Sequence, residues 1–413
     1  MEVTLVIYII FIFPCMVNFY SAVEFRYDYL NNFLDAPYQI FIRNIQMDDM
    51  ELEKLELDAE FGCASAQFAL GEIYENGPER NYQRAHDLYH NAAVNGYADA
   101  QYRIGKMHEL WHSGMGFYLG STVMLADDIK REYEQAVVWY RRAANHGHVD
   151  AQYALGRMYS LGQGVNQDDE QAVVWYRKAA GQGIAGAQFQ LGEMYRHGRG
   201  EVQNDEQAVV WYHKAAIQGN TDAMFVLGIV YELGQGVVQD NNQAMTWYLE
   251  AAEQGNAQAQ CRLGQIYSLG HGVKQDAHES VNWFSKAAIQ GDADALEVID
   301  KMAKQGDTHA FSALCNIAKN GHKGAHEIIT KMAAQGHTEA QYVLGMMYWD
   351  NSYIPNRRAQ WIFNWLLKAA NQGHVRAQLR LAEMYSRGNG VEKTMSRAFC
   401  GIARRLSKAM PVR

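Results

Sequence analysis

Apolar positions in the middle of this chain follow two interleaved patterns. Ala151, Leu155, Met158 and Tyr159 stand at i, i+4, i+7 and i+8, one face of an α-helix. Ala172, Trp175, Tyr176, Ala179 and Ala180 form a wider apolar face on a second helix. Between them Gly162 and Gly164 stop the first helix and turn the chain through conformations open to a residue without Cβ, and Gly183 ends the second. The start of the second helix is also readable. Asp168 precedes Gln171 by three residues, Asn204 precedes Gln207, Asp240 precedes Gln243 and Asp276 precedes Glu279, the spacing of a capping box. The pattern predicts a helix A of about 10 residues and a helix B of about 14, joined by a glycine loop.

The same stretch recurs. AQYALGRMYSLGQGVNQDDEQAVVWYRKAAGQGIAG begins at Ala151, and copies begin at Ala187, Ala223 and Ala259, a 36-residue step. Trp175, Trp211, Trp247 and Trp283 hold one place in it. Gly156, Gly192, Gly228 and Gly264 hold another, inside helix A. An interior helix glycine costs up to ~1 kcal/mol against alanine, so its recurrence predicts a close helix–helix approach there. A fixed period of this size is the mark of a helical solenoid, in which each pair of helices buries its apolar faces on its neighbours. The 413 residues therefore need no division into separate globular domains.

Outward from this block the pattern loosens. The unit at Ala66 has Asn76-Gly77-Pro78 in its loop and Leu88 in the Trp place. Residues 47–60 read as a lone helix B that caps the array. From Ala100 to Ala151 the step is 51 residues, which places an apolar-rich insertion at 117–131. From Ala295 the steps to Ala310, Ala325 and Ala340 shrink to 15, giving three single-helix units over 295–339. Three is odd, so the A/B alternation cannot hold on both sides, and a change of curvature or packing is expected. A last helix A starts at Ala377, followed by a segment with Arg404, Arg405 and Lys408, the polar outer face a terminal cap requires. The expected organisation is a leader at 1–22, an N-terminal segment and capping helix at 23–65, the array at 66–294, the short units at 295–339, and C-terminal repeats and cap at 340–413.

The pattern A-Q-x-x-L-G-x-M-Y-x-x-G-x-G-V followed by A-V-x-W-Y-x-x-A-A-x-Q-G resembles the Sel-one-like repeat family, relatives of the tetratricopeptide repeats. The match is most specific over Ala151–Gly291 and recognisable from Ala66 to Arg404. The resemblance implies an all-α fold, a right-handed α-solenoid (superhelix) of antiparallel helix pairs, working as a non-enzymatic protein–protein interaction scaffold or adaptor. It further implies an exported bacterial protein in envelope assembly or host contact; eukaryotic members act in endoplasmic-reticulum quality control. A cysteine-rich branch is associated with penicillin binding, but its paired cysteines are missing here.

Charge narrows the partner. The net charge is −9 with acids and bases interspersed and no Lys/Arg block, which argues against nucleic acid. Val3 to Val17 are almost all apolar, a length that suits a secretory leader and falls short of the roughly 20 residues of a membrane span. Removal of residues 1–22 and export to the periplasm or medium are expected. Glu2 in a region that usually holds Lys or Arg, and bulky Tyr20 before Ser21-Ala22, leave an uncleaved membrane anchor or a buried N-terminal segment as the alternatives. Cys15 would leave with the leader; Cys63, Cys261, Cys315 and Cys400 share no spacing and read as buried helix cysteines rather than a disulfide framework.

Few groupings could support chemistry. His108, Glu109 and His112 form an HExxH match, which on a helix can hold zinc with the glutamate as general base. Glu132 or Glu134 would be the third ligand. This zinc-dependent hydrolase is the alternative to the scaffold. Against it, His108 aligns with the packed Tyr159, and the stretch reads better as a helix-end coincidence. His86 and His90 repeat the histidine spacing at non-core positions. The paired glycines from Gly162 and Gly164 to Gly388 and Gly390 follow no strand, so they are turns rather than phosphate cradles. The Trp-Tyr stripe reads as core. No cofactor is expected. Positions that differ between repeats are the candidate partner contacts: Arg103, Gln190 and Arg262 share one helix-A place, and Lys106, Arg157, Glu193 and Gln265 another. Such places face the concave groove in superhelices of this kind, and Phe117 and Tyr118 represent the insertion.

Overall fold

The computed structural model of the chain describes residues 49–77, 80–110, 126–347, 349 and 356–387. Val3–Val17, His112, Phe117, Tyr118, Cys15, Cys400, Arg404, Arg405 and Lys408 lie outside these residues. Among the described residues there are nineteen α-helices and no strand, as the periodicity requires. Two compact units divide the chain, residues 1–211 and 212–413.

The first unit contains α1 (Asp49–Glu60), α2 (Ala64–Asn76), α3 (Tyr82–Val94), α4 (Ala98–Leu110), α5 (Ala126–Asn145), α6 (Val149–Leu161), α7 (Asp169–Gly181) and α8 (Ala185–His197). The boundary between units falls inside α9 (Asp205–Ile217). The second unit holds α10 (Thr221–Leu233), α11 (Asn241–Glu253), α12 (Ala257–Leu269), α13 (Ala277–Ile289), α14 (Ala293–Lys304), α15 (Thr308–Lys319), α16 (Lys323–Ala334), α17 (Thr338–Met347), α18 (Asn356–Asn371) and α19 (Val375–Arg387). Within each unit consecutive helices pack on one another. In the regular block helices A and B are both 13 residues long. No helix among the described residues is long and apolar enough to cross a membrane.

The helix ends follow the polar signals. Asp168 accepts a hydrogen bond from the Gln171 backbone N–H at 2.9 Å, and Asp240 and Asp276 cap α11 and α13 in the same way. Gly162, Gly234 and Gly270 close α6, α10 and α12 in the left-handed conformation. The second loop glycine answers a different need. A Cβ on Gly164 would lie 2.3 Å from the Tyr133 carbonyl, and one on Gly200 would lie 2.2 Å from that of Asp169. In these two repeats the loop is thus pressed onto the start of the preceding repeat's helix B, whereas a Cβ on Gly272 would meet nothing.

Two aromatic places divide the packing between them. The helix-A glycine meets the helix-B ring of its own pair: a Cβ on Gly156 would sit 2.6 Å from Tyr176, and one on Gly228 would sit 2.4 Å from Tyr248. Gly71 with Tyr89, Gly105 with Tyr140 and Gly264 with Phe284 repeat the contact. The tryptophan reaches backwards instead. Trp175 joins the core of α5 and α6, and Trp139 that of α3 and α4. The stem and ammonium of Lys178 cover the outer face of Trp175 at 3.9 Å, and Lys286 covers Trp283 at 3.7 Å. The Trp-Tyr stripe is core, as read from its register.

A buried glutamine joins one repeat to the next. Gln67, Gln101, Gln152 and Gln188 in the first unit, and Gln260 and Gln341 in the second, donate Nε2 to a carbonyl eight residues back, at the end of the preceding helix. Each of these carbonyls also accepts from the N–H of the glycine in the turn, so the glutamine adds a second donor at the helix C-terminus and ties the next helix to it. Gln67 bonds Ala59 of α1, which gives α1 the place of a preceding helix B.

Over the short units the packing changes as the odd count requires. α14, α15 and α16 are single 12-residue helices, and α13 packs on α15 across one intervening helix. Each keeps the grammar of its longer relatives: an N-cap, a fully buried alanine three residues on (Ala295, Ala310, Ala325) and a glycine turn.

The cysteine reading needs a correction. Cys261 and Cys315 are buried, but Cys63 is exposed, because it stands in the turn before α2 rather than on an inward helix face.

Gly228→Ala is expected to destabilise the protein by about 1–3 kcal/mol, since the Tyr248 ring occupies the Cβ position. Gly181→Ala, at the open end of α7 with no atom in reach of the new methyl, is expected to be neutral or slightly stabilising. Urea unfolding of the two variants checks the contrast.

Candidate functional site

The last turn of helix A collects most of the charged side chains that were candidates for recognition. Glu75, Glu109 and Glu232 occupy the same place, each one residue past the helix-A residue at the Tyr159 position. The ring seated on the helix-A glycine points its hydroxyl at this carboxylate. Tyr89 donates to Glu75 at 2.7 Å, Tyr140 to Glu109 at 2.5 Å and Tyr248 to Glu232 at 2.6 Å.

An arginine from the next repeat's helix A completes each group. Arg103 pairs with Glu75 at 2.5 Å, Arg157 with Glu109 at 3.1 Å, and Arg262 with Glu232. Burial, then the adjoining glutamate, pushes the three phenols far above the ordinary tyrosine range. Burial alone would lower Arg103, but the Glu75 carboxylate outweighs it and the guanidinium stays charged.

Three of the expected partner contacts therefore have internal partners. Arg103, Arg157 and Arg262 bind the glutamate of the preceding repeat. Their variation between repeats is correlated with that glutamate rather than free. Where Ser268 replaces the acid, Phe284 replaces the tyrosine, so hydroxyl and carboxylate disappear together. Where Ser160 stands there, Tyr176 bonds to it and Arg199 reaches both Ser160 and Asp169. Comparing repeats in pairs would have exposed this correlation; comparing single positions did not.

The remaining candidates are half-buried on the same helices. Gln265 accepts from Arg262 at 3.1 Å and Glu193 lies 3.4 Å from His197, while Lys106 and Gln190 stand at the equivalent places of α4 and α8. The structure does not draw them into one site.

The histidine stretch is described as far as Leu110. His108 Nδ1 lies 2.7 Å from Glu132, one of the two carboxylates expected near it. Glu109, the would-be general base, accepts from Tyr140 and Arg157, one on each oxygen. Both carboxylate oxygens are therefore already taken up by donors from neighbouring helices. Among the described residues no group of three or more His, Cys, Asp and Glu side chains could hold a metal ion. His86 and His90 stack at 6.2 Å, and His90 meets the edge of Trp139.

The second unit holds a cleft of about 580 Å³ over the short helices. Phe311, Cys315 and Lys319 of α15, His337 and Glu339 at the head of α17, and Arg376 of α19 border it. Burial pushes the Cys315 thiol up to about 12, so it is no nucleophile at neutral pH. The sequence pointed to this region through its broken period but named none of these residues.

The family model described as Sel1 repeat matches ten segments: 64–97, 98–110, 115–148, 149–184, 185–220, 221–256, 257–292, 338–355, 363–374 and 375–399. The gap at 293–337 coincides with the short units. Among solved structures, the chain is similar to a protective antigen of uropathogenic Escherichia coli strains displaying an SLR fold, at 31% identity over 83% of this chain and 84% of that one, TM-score 0.43. It is also similar to a Sel1 repeat protein from Oxalobacter formigenes, at 27% identity over 64% and 95%, TM-score 0.49. No relative is found among curated proteins.

Glu232→Gln is expected to cost about 1–3 kcal/mol, because Arg262 and Tyr248 both lose their charged acceptor, and Arg262→Gln about as much or less. If the triad acts as a unit, the double variant costs clearly less than the sum of the two, which urea unfolding of the four proteins measures. In native protein at pH 8, Cys63, whose pKa is lowered first by its bond to Ser65, is expected to alkylate within minutes. Cys261 and Cys315, with thiols pushed by burial up to about 11 and about 12, should alkylate only on unfolding. Mass spectrometry of the labelled peptides reads each site.

Proposed function

The chain belongs to the Sel1 repeat family, whose members are in general protein–protein interaction scaffolds, and we propose that it is a non-enzymatic adaptor exported from a bacterial cell for envelope assembly or host contact. The observation that carries this reading is the internal engagement of the charged helix-A network. Arg103, Arg157, Arg262 and the three glutamates lock repeat to repeat, and a surface fixed in this way meets a partner with little ordering cost. Side chains engaged in this way tie the array together and are poorly placed to move protons in a reaction.

Partner contact is assigned to helix-A positions outside the triads, Lys106, Gln190, Glu193 and Gln265, together with the insertion at 117–131. The apolar run Val3–Val17 supports export, with residues 1–22 as the leader.

The test is capture of cross-linked partners by the exported protein in its native host, followed by titration of the identified partner. The intact chain is compared with a version lacking residues 117–131 and with Lys106→Glu/Gln190→Glu. Loss of affinity by roughly tenfold or more without change in unfolding midpoint is expected for at least one of the two. Stoichiometric zinc in the purified protein, lost in His112→Ala, would overturn the non-enzymatic reading.

A further inference from the structure

The residue at the head of helix A has two tasks in this fold. At Asn256 the side-chain oxygen accepts from the Ala259 N–H at 2.9 Å, and its amide donates to Asp222 on the preceding helix A at 3.0 Å. The first bond caps the helix; the second ties it to its neighbour. His374 performs both with an imidazole: Nδ1 accepts from the Ala377 N–H at 3.0 Å, and Nε2 lies 2.7 Å from Glu339. Its ring stacks on Tyr342 with centroids 4.5 Å apart. His337 heads α17 by the same cap, accepting from the Ala340 N–H at 3.2 Å, with its ring 5.1 Å from that of Phe311.

An amide can donate and accept at any pH. Imidazole can do so only as the neutral tautomer protonated on Nε2, the assignment these partners require, since imidazolium has no acceptor. Both histidines belong to the cleft over the short units: His337 borders it, and His374 rests on two residues that do, Glu339 and Tyr342. The charged groups around them are Asp307 and Lys319 from α15, Glu339 from α17 and Arg376 from α19. Arg380 of α19 is paired with Glu383. From the turn after α18 comes neutral Gln372, bonded to Thr338 and Gln341. Burial keeps the Cys315 thiol uncharged near neutral pH.

We propose that His337 and His374 form an acid-responsive latch: proton uptake by either imidazole removes the acceptor that holds its helix head, freeing the first turns of α17 and α19 and loosening the cleft they border. Protonated His374 keeps an attraction to Glu339, whose carboxylate is partly solvated and therefore a weak anchor. Against it stand the lost cap, the positive end of the α19 dipole and the Arg376 cation two residues on. Imidazole changes charge in mildly acidic solution, so the latch responds where asparagine and aspartate caps elsewhere in the unit do not. His322, which caps α16 by accepting from the Ala325 N–H, shares the chemistry of the two but, among the described residues, makes no bond to a neighbouring helix A such as His374 makes. The same unit provides the control, because Asn220 and Asn256 cap α10 and α12 with the pH-insensitive group.

Hydrogen exchange of the full chain at pH 7.5 and 5.5, corrected for intrinsic rates, tests this. Peptides containing the Ala340 and Ala377 amides are expected to lose about fivefold in protection at pH 5.5, while those containing Ala223 and Ala259 do not change. In His337→Asn/His374→Asn, protection at both pH values should match the Asn-capped helices, and each single substitution should restore its own helix alone. Equal protection of wild type at the two pH values overturns the proposal. So does an acid response that survives in the asparagine variants.

Discussion

The contact between a helix-A glycine and a helix-B ring is the constraint on which the rest of this structure depends. With no Cβ at Gly156 or Gly228, the Tyr176 or Tyr248 ring lies directly on the helix-A backbone, closer than any other residue would permit. That approach fixes the depth of the ring, and the depth fixes where its hydroxyl emerges. In three repeats it emerges beside a glutamate, which is then placed to take an arginine from the following repeat. One missing methyl group thus sets the spacing within a pair and, through a phenol and a carboxylate, the link between pairs.

Inter-repeat cohesion rests on two further devices of different chemistry. The tryptophan supplies apolar area to the preceding pair and is shielded outside by a lysine or arginine. The buried glutamine supplies a second donor to a helix-end carbonyl that also accepts from the glycine of the turn. In α10 methionine replaces that glutamine, and Gln254 approaches the Met224 sulfur at 3.5 Å instead. The array tolerates such exchanges one at a time because each link involves only adjacent repeats.

The short units show how little of the repeat is needed to continue stacking. α14, α15 and α16 lack the glycine loop and the glycine–ring contact, yet each retains a capped start, a buried alanine and a glycine turn. Across these units α13 reaches α15 past one helix. The cleft and the two histidine latches stand at this change of packing, where uniform repetition no longer dictates which side chains face one another.

Much of the fold was legible in the residues themselves. Helical periodicity, glycine stops and the Asp or Asn starts of helix B located the helices of the regular block, because these signals are local and act through the backbone of the same helix. Helix A is 13 residues rather than about 10, since its first turn precedes the apolar pattern. Recurrence of Gly156 and its equivalents announced a close approach, and the odd number of short units announced a break in packing. The tertiary structure decided which residues meet. Arg103, Arg157 and Arg262 looked like surface variation because their glutamates lie 28, 48 and 30 residues earlier in the chain. Cys63 looked like its buried namesakes because helix pattern does not distinguish an N-cap turn from an inward face. Sequence alone determined the period and the elements. Partnership across repeats depends on the depth and direction of side chains, and only packing sets those.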